Sequence, residues 1–123
     1  MTPKLPLLFA VITCCASAAP RPTKSFHSDG NPILGDGSYF SADAAPLSVD
    51  GKLYIYAGHD EPPPEVGGFV MYDYGVFVTE DPESGDWELY ADNLDPDKVF
   101  DWASGNRAYA GHCAKGLDGR FYW

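Results

Sequence analysis

Basic residues are scarce in this chain: 8 Lys and Arg stand against 18 Asp and Glu, a formal net charge of -10. So little positive charge can neither neutralise a phosphate backbone nor hold an anionic bilayer, and neither nucleic acid nor a membrane is expected as a partner of the mature chain. Cysteine is equally sparse, at 3 residues. Cys14 and Cys15 fall in an apolar leader, so only Cys113 remains and no internal disulfide is expected. That thiol is read as buried, or as lacking a partner held in a segment outside this sequence. His27, His59 and His112 lack the spacing of a zinc pair, and no cysteine pair supports them, so no metal ligand is expected. Asp95, Asp97 and Asp101 do not make a calcium loop, because Phe100 stands where that pattern needs glycine. A Gly-rich phosphate loop, a Gly-x-Ser-x-Gly elbow and a locally supported Cys-His pair are also missing, which removes nucleotide chemistry and serine hydrolysis. No segment carries a long helical period, and no cofactor is expected.

What is present begins with a leader. Met1 to Lys4 carry positive charge, and Leu5 to Cys15 form an apolar run too short to span a bilayer. Ala16, Ser17 and Ala18 then give an A-x-A cleavage pattern, so residues 1–18 read as a signal peptide and the protein as secreted. A buried core helix is the alternative, and Pro3, Pro6, Pro20 and Pro22 frame such a helix badly. Residues 19–30 show no apolar periodicity and read as a linker. About 105 residues then remain after cleavage, enough for one small domain.

Aromatic residues make up 15% of the chain, beside 13 Gly and 11 Pro, a composition that folds rather than one of an acidic disordered tail. Asp50-Gly51 separates Leu47 to Val49 from Lys52 to Tyr56, and Asp-Gly between two β-prone runs predicts a hairpin. Pro62 to Pro64 then force an extended loop. Phe69 to Met71, Gly75 to Thr79 and Trp87 to Tyr90 read as short strands, with Pro82 to Asp86 as a turn, and Trp87 is assigned to packing. Ala108 to Cys113 reads as a further strand. A second Asp-Gly turn at Asp118-Gly119 leads into the aromatic run Phe121 to Trp123. The two units lie roughly 68 positions apart, more than the 40–50 residues of common propeller blades, so long inserted loops are expected. The chain therefore reads as all-β, with the last strand in want of a partner.

Several blocks in order resemble glycoside hydrolase family 43. They are Asn31 to Leu34, Ser41 to Leu47, Leu53 to Glu61, Met71 to Tyr74, Phe100 to Ala103, Ala108 to Gly111 and Asp118 to Trp123, together covering residues 31–123. The resemblance implies a five-bladed β-propeller, present here as an incomplete propeller of about two blades. It also implies an inverting hydrolase for arabinose- or xylose-containing plant polysaccharide or oligosaccharide, with Asp43 as the general base. Such an enzyme needs a base and an acid about 6.5–9.5 Å apart, on opposite faces of the sugar. The family often has Pro where Ala44 stands. Its acid Glu and orienting Asp come from downstream segments, and Glu61, Glu65, Glu80, Glu83 and Glu88 do not lie in stretches resembling them. The chain alone is thus expected to be inactive. His59 and Asp60 are candidates to shape the sugar site, or else a loop pair bonded to backbone. Tyr72, Tyr74, Trp102 and Tyr109 are candidates to stack on sugar rings, or else core residues. A secreted non-catalytic carbohydrate-binding protein and a truncated gene product are the alternatives.

Overall fold

The Asp50-Gly51 turn sets the register of the hairpin it joins. Both residues take positive φ, 51° and 78°, as a two-residue hairpin turn requires. On either side run β2 (Ser41–Val49) and β3 (Lys52–Asp60), paired antiparallel from Val49↔Lys52 to Ser41↔His59. A computed structural model describes residues 20–61, 65, 67–103, 105 and 107–123. The expected signal peptide and the Pro62 to Pro64 loop lie outside the described residues.

β4 (Met71–Thr79) returns beside β3, and β5 (Asp86–Leu94) beside β4, giving a four-stranded antiparallel meander. That meander is the form of one propeller blade. A fifth strand, β1 (Lys24–His27), adds to β5, so the order is β1-β5-β4-β3-β2 and β2 forms the far edge. This corrects the reading of residues 19–30 as a linker. A strand of four residues offers one alternation of Lys24 and Phe26 inward with Ser25 and His27 outward, too short to be seen as a period. It is held by pairing from Lys24↔Leu89 to His27↔Asp86. A single-turn helix, α1 (Pro96–Val99), follows β5, capped by the Asp95 carboxylate accepting from Asp97 N. A two-stranded hairpin, β6 (Ala114–Lys115) and β7 (Phe121–Tyr122), then turns at Asp118-Gly119 and begins a second unit.

Two further readings change. Phe69 to Met71 and Gly75 to Thr79 are one strand beginning at Met71, and Phe69 is exposed outside it. Ala108 to Cys113 is irregular, tied to the sheet by Ala108 N donating to Met71 O and interrupted by positive φ at Ala110.

Alternation places Ile55, Phe77 and Leu89 on one face of the blade and Tyr56, Val76 and Tyr90 on the other. The first face buries Phe77, Trp87 and Leu89, and residues 33–39 fold across it so that Tyr39 joins this core. Tyr39 meets Phe77 edge-on at 5.9 Å, and Phe26 meets Phe77 edge-on at 6.4 Å. On the second face Met71, Tyr74 and Ala108 pack with Ala42 and Leu94. Trp123 lies edge-on to Tyr74 at 4.8 Å and to Tyr56 at 5.4 Å, fastening the second hairpin to the blade. Cys113 is buried and free.

Candidate functional site

Three register breaks gather toward one end of the sheet. Ala42 pairs with Gly58 and Ala45 with Tyr56, so Asp43 and Ala44 together oppose Ala57. Gly58 pairs with Tyr74 and Asp60 with Met71, so Tyr72 and Asp73 together oppose His59. Tyr74 pairs with Leu94 and Val76 with Tyr90, which sets residues 91–93 against Gly75. Bulges bend a strand and re-aim its side chains, and they occur preferentially beside active sites. The clustering singles out this end before any residue type is considered.

Asp43 sits on the first bulge with φ 54°, left-handed backbone that an aspartate adopts more readily than most side chains. It is exposed. The extra residue breaks the alternation of the strand at this point, leaving the carboxylate open to solvent on the sheet's edge strand.

His59 lies one row further along. Its ring stacks on Tyr39 at 4.0 Å and 12°. Nε2 is 3.2 Å from Glu61 Oε1, and Nδ1 is 3.5 Å from Asp73 Oδ1, the latter an electrostatic contact rather than a hydrogen bond. With its side chain only 14% exposed, His59 is a held residue, not a free probe of solvent. Asp60 N donates to Phe40 O at 3.0 Å, and Asp60 Oδ1 is buried without a hydrogen-bond partner among the described residues. Ser38, Tyr39, Phe40, His59, Asp60 and Glu61 line a cleft of about 550 Å³.

A separate aromatic cleft of about 350 Å³ lies where α1 and the following loop meet the second hairpin. Tyr74, Tyr109, Trp123, Phe100 and Trp102 line it together with Arg107. Trp102 is stacked on Phe100 at 5.1 Å yet is 81% exposed, while the Tyr74 hydroxyl donates to Tyr109 O at 2.8 Å. Burial pushes the Tyr74 phenol above its ordinary pKa, keeping it a neutral donor. A further cleft of about 620 Å³ lies among Lys52, Thr79, Glu80 and Asp86 toward the turn end of the sheet and holds none of these residues.

The expected site residues are therefore brought together in part. His59 and Asp60 share one cleft, Trp102 lines another, Tyr72 projects exposed from the β4 bulge, and Asp43 lines neither cleft. Sequence reading missed Tyr39 and Asp73. Asp73 carried a signal, a carboxylate inside an aromatic strand where acidic residues are depleted. Tyr39 carried none, since its contact with His59 crosses twenty residues of chain.

No family model matches the chain, and no curated protein matches it. Among solved structures, the GH43_1 enzyme from Xanthomonas citri complexed with xylose superposes with TM-score 0.56 and 26% sequence identity, covering 77% of this chain. The match takes in 30% of that enzyme's chain. The fold is thus all-β and GH43-like, part of a β-propeller with one full blade and the opening of a second.

Proposed function

We propose that the chain belongs to a secreted glycoside hydrolase that cuts O-glycosyl bonds of arabinose- or xylose-containing plant polysaccharides with inversion, with Asp43 as general base. The observation that carries this reading is the exposed Asp43 carboxylate on a bulge of the edge strand, where the register breaks of the sheet gather. The xylose bound to the similar Xanthomonas citri enzyme supports a pentose as the sugar.

The chemistry asked of Asp43 is simple. Its carboxylate takes a proton from a water as that water's oxygen bonds to the anomeric carbon. The glycosidic C–O bond breaks on the opposite face, and the leaving oxygen collects a proton from an acid. A solvent-open carboxylate suits the base role. The acid is a separate group, and this reading assigns it to none of Glu61, Glu65, Glu80, Glu83 or Glu88. His59 and Asp60 wall a cleft that Asp43 itself does not line, and Tyr72 and Trp102 offer aromatic faces to sugar rings.

The test is hydrolysis of aryl xylosides and arabinofuranosides by the whole secreted protein, the segments that carry the acid included, with the anomer of the first product followed by NMR. Asp43→Asn is expected to lower kcat about 10²–10⁴-fold, the range for loss of a general base, with KM little changed. A second reading, a carbohydrate-binding protein without turnover, is favoured by the exposed Trp102–Phe100 stack. Sugar binding without hydrolysis in both forms would establish it.

A further inference from the structure

The geometry points to Tyr39 and His59 as a positioning pair that holds the backbone of Asp43 in its left-handed conformation. The inference rests on the reading of Asp43 as the base. Tyr39 is held by three contacts: its ring stacks on the His59 imidazole at 4.0 Å, meets the edge of Phe77 at 5.9 Å, and its phenol fills the space left by the missing side chain of Gly75. The imidazole is fixed in turn by Glu61 at 3.2 Å and Asp73 at 3.5 Å.

From this stack the chain has no slack before it reaches Asp43. Phe40 O accepts from Asp60 N, Ser41 pairs with His59, and Ala42 pairs with Gly58. Asp43 comes next, with φ 54°. Left-handed backbone at a residue other than glycine persists only where its surroundings over-determine it. On one side the bulge is held by the ladder that resumes at Ala45. On the other it is held by three residues anchored to the stack. His59 therefore acts through Tyr39 and the strand entry, and its flanking carboxylates prevent the ring from rotating away.

The experiment uses the whole secreted protein, the segments that carry the acid included, with Tyr39→Phe, Tyr39→Leu and His59→Gln. The first keeps the stacked ring; the other two remove one partner of the stack. The Cα chemical shift of Asp43 reports its left-handed backbone without reference to activity. It is expected to stay in place in Tyr39→Phe and to move toward the average of several conformers in Tyr39→Leu and His59→Gln. An unmoved shift in both disrupting variants overturns the inference. In turnover, Tyr39→Leu and His59→Gln are expected to lose about 10–100-fold in kcat with KM within about 2-fold, the penalty of a base displaced by about 1 Å. On an Asp43→Asn background no further loss is expected, and multiplied losses would mean that the pair acts elsewhere. Full turnover in Asp43→Asn would sink the base reading itself, while the chemical shift would still decide whether the pair holds the bulge.

Discussion

The phenol of Tyr39 occupies the space that a side chain at Gly75 would need. Gly75 lies in the middle of β4, where glycine otherwise weakens a strand, and the close approach explains its presence. Gly75→Ala is expected to drive Tyr39 off its stack with His59 and to cost about 1–3 kcal/mol, as overpacking of a core does. Chemical denaturation should show a lower midpoint with an unchanged slope. A midpoint equal to wild type would mean that Tyr39 yields without cost.

Asp43 separates backbone from chemistry. A left-handed residue with a Cβ costs about 1–2 kcal/mol relative to its right-handed form, and glycine escapes that cost. Asp43→Gly is therefore expected to be more stable than Asp43→Ala by about 1 kcal/mol, while both lack the carboxylate and lose turnover alike. Equal melting temperatures would show that the bulge refolds into a regular ladder when aspartate is removed.

Tyr56 is expected to titrate late in alkali. Burial, then the neighbouring Cys113, pushes its phenol from the usual 10.0 to about 12. A raised folded-state pKa favours the protonated phenol, so its contribution to stability is complete below pH 10 and disappears as pH rises through about 12. Tyrosinate absorbance is expected to show a late-titrating group that Tyr56→Phe removes, together with a flatter loss of stability over that window. Should Tyr56→Phe leave the alkaline titration unchanged, the buried phenol is another one.

Trp102 is the most exposed ring of the aromatic cleft. Its removal should leave stability nearly untouched, because most of its surface already meets water. Trp102→Ala is expected to weaken binding of pentose oligosaccharides by roughly 10-fold, the loss of one aromatic contact of about 1.5 kcal/mol, read by calorimetric titration. Weakened folding with unchanged sugar affinity would return Trp102 to a packing role.

The sheet was legible where its information is local. Asp50-Gly51 is both the sequence signal and the turn, and Asp118-Gly119 turns the second hairpin as well. β1 escaped because Phe26 alone cannot make a period, and its strand form comes from β5, sixty residues away. The join of Tyr72-Asp73 into one strand escaped for a related reason: a bulge is a relation between two strands, invisible in either one. The same limit applies to the site. Asp43 could be named only through a resemblance, since nothing in Ser41 to Leu47 announces a left-handed residue. His59 was legible as a site residue, but its anchors on Tyr39, Glu61 and Asp73 depend on how three segments meet.

β2 is an edge strand of nine residues, and a bare row of strand amides is a template on which another chain can build. Two features spoil the template. Asp43 and Ala44 break the row, and Pro46 removes a donor two residues later. The bend that presents the proposed base to a sugar therefore also guards the molecule against edge-to-edge polymerisation, so straightening it would endanger solubility as well as catalysis.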